Sequence, residues 1–209
     1  MLLISTSSNI LPTTRWVSLY SDTMPSLIKL FNINICAMIG VFLAGSASTS
    51  FDLIAPEYIG LVDLKTGTRL ALTLLFGYWV FPGILLGSIG ANMLFQPFDD
   101  IHSNIRVFLA LLEATIPYLA VLFLHQLKLD KFYVDSRMSY LHLIPLCIIT
   151  AVMSSLAMFA VMQSLGLTES YNLVERTGVH LTGALIGTFI VFFAFILTSR
   201  AFAENLKNN

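Results

Sequence analysis

Apolar residues in this chain gather into long blocks separated by short polar stretches. A membrane-crossing helix needs about 20 mostly apolar residues. Four blocks meet that length: about Ile28 to Ser48, Val107 to Leu127, Tyr140 to Leu165 and Gly178 to Ala201. A fifth, TGTRLALTLLFGYWVFPGILLGSIGANMLFQPF from Thr66 to Phe98, is as apolar but carries Gly77, Pro82, Gly83, Gly87 and Gly90. Its first half, Arg69 to Trp79, makes roughly 16 Å of helix and its second, Phe81 to Phe95, roughly 22 Å. Neither spans ~30 Å of hydrocarbon alone. Two short tilted helices joined at Tyr78–Gly83, a re-entrant hairpin, or one kinked helix all fit the pattern. Irregular backbone at membrane depth must be covered by protein or line a cavity. The broken block is therefore the expected functional centre, with Gly77, Pro82 and Gly83 as candidate hinges.

Composition supports this class. The 209 residues are 56% hydrophobic and 11% charged, with a mean hydropathy of +0.82, against about 25% charged in soluble domains. The expected fold is all-α, a polytopic transmembrane bundle of about six membrane segments, two of them short or re-entrant. It divides into an N-terminal interfacial tail (1–27), a transmembrane domain (28–202) and a C-terminal cytoplasmic tail (203–209). A net charge of −1 with no basic cluster argues against nucleic acid. Cys36 and Cys147 sit in apolar runs and read as buried small hydrophobes, not as a disulfide or metal site. The N-terminus lacks a positive start and its apolar run is broken, so it reads as an uncleaved tail.

Positive charge orients the bundle. Lys128, Lys131 and Arg137 share a face with Arg200 and Lys207, expected to be the cytoplasmic face of a cell inner membrane. Doubling back in the broken block adds Arg15 and Lys29 to that face, seven of the eleven basic residues. A single kinked helix instead adds Lys65 and Arg69, also seven, so charge leaves the N-terminal side open. The break near the middle of the block favours a cytoplasmic N-terminus.

Four residues are candidates for ligand binding or coupling: Arg69, Asn92, Glu113 and His180. Glu113 stands inside an apolar helix one turn before Pro117, and an intramembrane carboxylate is a functional hypothesis by default. Its candidate partners are Arg69, His180 and backbone freed by Pro117. Arg69 pairs with Glu113 or an anionic ligand, or snorkels at a helix end. His180 is a candidate proton sensor or an ordinary interhelical hydrogen bonder. Asn92 bridges helices or lines a polar site. Gly83 with Gly87, and Gly183 with Gly187, form small-xxx-small pairs suited to close helix packing inside the monomer or in a homo-oligomer. No nucleophile–base motif, phosphate loop or metal-ligand spacing is present in the sequence, so no enzymatic activity, cofactor or metal is expected.

The broken block resembles part of the integral membrane sensor domains of bacterial signalling proteins, the MASE-type family. The matching features are Gly67, the Gly77–Tyr78 step, Pro82, Gly87 and Ala91–Asn92. The stretch FLALLEATIPYLAVLFLHQL is similar to the family's next helix, and GALIGTFIVFF loosely to its terminal one. Two features depart from the family: Asp63-Leu64-Lys65-Thr66 stands where a tryptophan–proline pair is associated with it, and no output domain follows. The resemblance implies a stand-alone sensory or regulatory module. It would detect a small ligand, ion or membrane state and signal through a separate protein. Two alternatives share the same features: a substrate-binding membrane subunit of a vitamin-type transporter, or another transporter; and an accessory subunit of a larger membrane complex.

Overall fold

The computed structural model describes residues 26–54, 62–95, 103–127, 133–134, 137–138, 140–164 and 173–208. Six helices carry these residues: α1 (Leu27–Ile54), α2 (Leu64–Phe76), α3 (Phe81–Phe95), α4 (Ser103–Gln126), α5 (Tyr140–Ser164) and α6 (Leu173–Asn208). A two-residue antiparallel ladder, Tyr133–Val134 with Arg137–Met138, lies between α4 and α5. Among the described residues, five helical runs are long and apolar enough to cross a membrane: Leu27–Phe51, Leu64–Phe95, Ser103–Gln126, Leu143–Val161 and Thr177–Phe195. This is the architecture of a multi-pass membrane protein. The N-terminal tail, Lys128, Lys131 and His102 lie outside the described residues.

The broken block is built from local chemistry. The Asp63 side chain caps α2, accepting from the Lys65 N–H at 3.0 Å and the Thr66 hydroxyl at 2.6 Å. Its carboxylate satisfies an N–H that a helix start leaves orphaned. Gly77 ends α2 at φ 63°, ψ −148°, a region open essentially to glycine alone. A single 3₁₀ turn, Gly77–Val80, leads into α3. Pro82 falls in the first turn of α3, where its missing N–H costs no helical bond.

Counted as one run, Leu64–Phe95 is long enough to cross, but its contacts show that it doubles back. The N–H of Leu64 donates to Ser48 Oγ, near the end of α1. The turn lies beside Asn34, near the start of α1, whose amide donates to the Trp79 carbonyl at 3.0 Å and accepts from the Gly83 N–H at 2.6 Å. From there α3 climbs beside α1: Gly83 packs on the Asn34 backbone, Gly87 on Met38 and Val41, and Ala91 and Phe95 lie beside Gly45. The block is therefore a helical hairpin, and the single kinked helix does not describe it. Asn34 stands roughly 10 Å along α1 from Leu27, so the hairpin tip stops about that far inside the start of α1.

The remaining helices alternate in direction around the hairpin. α4 descends beside α3, from an Arg106–Met93 carbonyl bond of 3.3 Å to Tyr118, which donates to the Gly77 carbonyl. α5 returns beside α4 and α6 descends beside α5 and α2. The starts of α1 and α5 and the ends of α4 and α6 thus share one face with the hairpin tip. The opposite face, here the cap face, carries Asp63.

α2 is the central element, with Thr66, Gly67, Arg69, Leu70, Ala71, Thr73 and Leu74 buried. Its approach to α6 is backbone on backbone: a Cβ on Gly67 would meet Thr188 Cα at 2.7 Å, and one on Gly187 would strike the Asp63 carbonyl. The Asp63 N–H donates to the Gly183 carbonyl at 3.0 Å. The small-residue pairs thus serve packing inside the monomer. Toward the tip, Leu70, Leu74, Leu124, Leu146 and Phe192 form an apolar core. Cys147 joins it, as expected, but Cys36 is exposed on α1, correcting its expected burial. Only a narrow stripe of α1 meets the bundle, and Cys36 falls off it. His125, in the last turn of α4, is exposed.

Candidate functional site

Three of the four candidate residues meet in one cluster between the hairpin and α4. Arg69 is 2% exposed and does not snorkel; Glu113 is 14% exposed. Arg69 Nη2 donates to Glu113 Oε2 at 2.6 Å, and its Nε donates to Ser88 Oγ at 3.0 Å. Asn92 Nδ2 donates to the same Glu113 oxygen at 3.2 Å. Arg69 lies eight residues before Gly77 and Ser88 eight after Val80, so the doubling back is what sets them opposite each other. The cluster ties both hairpin arms to α4 through one carboxylate.

A charged pair out of water is costly unless the two charges meet in good geometry with further hydrogen bonds. Here Ser88 and Asn92 supply those bonds. The satisfaction is incomplete: Asn92 Oδ1 is buried without a hydrogen-bond partner among the described residues. Buried polar atoms are nearly always paired, so the free Asn92 oxygen is an exception in this cluster.

His180 does not bond the carboxylate directly. It is half-buried on α6, with Nε2 3.5 Å from Ser154 Oγ. It lines a small pocket with Glu113, Leu109, Ile116, Ser154 and Met158. The space within is ≈ 10 Å³, close to the least that admits one water. Glu113 therefore faces Arg69 on one side and a water-sized polar pocket on the other.

Asp63, just outside the membrane-spanning run, completes the charge pattern. Burial pushes its carboxyl up, but the positive charges of Lys65, His180 and Arg69 and the Thr66 hydroxyl bond outweigh this and hold it down at about 2. Asp63, Lys65, Arg69, Glu113 and His180 thus lie in one electrostatic neighbourhood, in the half of the bundle nearer the cap face.

Asp63, Ser88, Asn34 and Ser154 are not among the candidates that the sequence alone singles out. Asp63-Leu64-Lys65-Thr66 was a legible cap signal, an acidic residue opening an apolar run with a hydroxyl three residues on. Ser88 and Ser154 had none, because single serines are common in apolar helices. Among the described residues no group of three or more His, Cys, Asp or Glu is placed to hold a metal ion.

The chain was compared with family models, curated proteins and solved structures, and it matches none of them.

Proposed function

We propose that this chain is a non-enzymatic sensory or regulatory module of the inner membrane, with the Arg69–Glu113 pair as its switching element. It has six membrane segments, the α2–α3 hairpin counting as two short ones. Both chain termini lie on the cytoplasmic side and the cap face of Asp63 looks outward. The alternating helix directions support this orientation, together with the basic residues in the α4–α5 connection and near the end of α6. The observation that carries the reading is the single carboxylate holding both hairpin arms to α4. A ligand or ion shifts such a protein by binding two states differently. Whatever neutralises or displaces Glu113 releases both arms at once. The likeness to MASE-type sensor domains belongs to this proposal, as does a separate partner protein on the cytoplasmic face.

The vitamin-type transporter reading fits less well. Small-molecule sites are roughly 300–1,000 Å³, whereas the pocket beside Glu113 holds about one water. The accessory-subunit reading draws on the membrane fold alone.

The test places spin labels on Leu86 of α3 and Leu119 of α4, both exposed, in protein reconstituted into nanodiscs. Glu113→Gln is expected to lengthen or broaden the distance between them relative to wild type. An identical distribution in both proteins removes the switch. Crosslinking from Lys128 and Lys131 in native membranes is expected to capture one signalling protein. Substrate uptake that Glu113→Gln abolishes would instead establish the transporter.

A further inference from the structure

We propose that Glu113 is a proton-binding site, loaded from the water-sized pocket it shares with His180 and Ser154, so that the species this module detects is the proton of the outer face. This rests on the reading of the Arg69–Glu113 pair as a switch and names its ligand.

Three observations carry it. The first is the placement of the bonds. Those from Arg69 and from Asn92 both fall on Oε2, so Oε1 takes neither. Glu113 keeps 14% of its surface exposed and lines the pocket. A single-point pair leaves the second oxygen available for a proton; a two-pronged guanidinium–carboxylate pair would occupy both.

The second is Asn92, fully buried, with Oδ1 unpartnered among the described residues while Nδ2 donates to the carboxylate. A carboxamide carries donors and an acceptor on one planar group. With Glu113 ionised, Nδ2 is the useful end. With Glu113 protonated and its carboxyl turned to set the new O–H opposite Asn92, a half-turn of the amide lets Oδ1 accept from it. The acceptor left over in the ionised state is the one the protonated state needs.

The third is the relay. His180 Nε2 and Ser154 Oγ stand 3.5 Å apart on the pocket wall, and the pocket has room for one water. Protonation balances simply. Imidazolium Nε2–H passes its proton to the water, the water passes one to Oε1, and His180, left neutral, takes the next proton from the outer face. No electron moves and no further reactant is consumed.

The groups around Glu113 set the outcome. From α2 and its cap come Arg69, Lys65 and Asp63, and from α6 comes His180. α3 presents neutral Ser88 and Asn92, and α5 presents neutral Ser154. Arg106 lies two turns earlier on α4 itself. Once Glu113 is neutral, Arg69 has Asp63 as the carboxylate left in its neighbourhood. The proton thus turns Arg69 from α4 towards the cap of its own helix, unfastening the hairpin.

The test is infrared difference spectroscopy of the intact protein in nanodiscs, titrated from about pH 7 to about pH 3, because the Arg69 guanidinium favours the ionised carboxylate. A protonated-carboxyl C=O band is expected to appear on acidification and to vanish in Glu113→Gln. His180→Gln and Ser154→Ala are expected to move its midpoint by about one pH unit. A band that persists unchanged in Glu113→Gln, or no band in folded wild type, overturns the proposal. Should Glu113→Gln not fold, unchanged midpoints in both pocket variants overturn it. If the band behaves as expected while the labelled α3–α4 distance stays fixed with pH, the proton site stands and the sensory reading falls.

Discussion

Two polar clusters hold the α2–α3 hairpin, and they are built on opposite principles. At the tip, Asn34 uses both ends of its amide: the Leu30 and Trp79 carbonyls accept from Nδ2, and the Gly83 N–H donates to Oδ1. Every group is neutral and nothing is left over. Near the cap face, Arg69, Ser88, Asn92 and Glu113 hold the hairpin to α4 with charge, an unpartnered oxygen and a pocket alongside. A satisfied neutral clamp has one stable arrangement, whereas a charged one depends on a proton. A fixed joint and, under the proposed switch, a releasable one thus sit within a single hairpin.

The largest expected effect comes from breaking the charged cluster. Arg69→Leu or Glu113→Leu alone strands its partner's buried charge and is expected to cost about 3–5 kcal/mol, measured by unfolding in mild detergent. The double variant should recover most of that loss, because no lone charge remains, while losing the pH response. A double variant no more stable than either single one would refute the pairing.

Next comes Asn34→Leu, which leaves the Gly83 N–H and Trp79 carbonyl without this partner. A loss of about 1–3 kcal/mol is expected, with the infrared midpoint unmoved. A shifted midpoint would show that the two clusters communicate and dissolve the distinction between them. Gly77→Ala should cost about 1–3 kcal/mol for its backbone conformation. It probes the turn joining the two clusters, and an unchanged melting temperature would count against the φ > 0 turn.

The smallest effect under ordinary conditions concerns Asp63, since it appears only in acid. Its folded-state carboxyl sits at about 2, below the ordinary 3.8. Its contribution to stability is therefore complete above about pH 4 and is lost as the pH falls towards 2. Acid unfolding of wild type should show this limb and Asp63→Asn should flatten it. An identical limb in both proteins would assign the acid sensitivity elsewhere.

Much of the fold was legible because lipid imposes a long, coarse pattern. A run of apolar residues long enough to cross is visible in one dimension, and the observed helices enclose the four expected runs to within a few residues. The break at Gly77 was legible too, since glycine and proline are local signals. Cys36 shows the limit: an apolar run says that a residue avoids water, not whether protein or lipid covers it.

By itself, then, the sequence determined an apolar helical chain, the place where its fifth block breaks, and the residue types too costly to bury idly: Arg69, Asn92, Glu113 and His180. Only the tertiary structure decided that the break is a hairpin. Only it set Arg69 across from Ser88, joined Asn92 to Glu113, and put His180 on the far wall of a pocket instead of in the pair. Local propensity acts between near neighbours in the chain, whereas Arg69 and Glu113 lie 44 residues apart and meet only because Asn34 and Gly83 fold the hairpin back against α1.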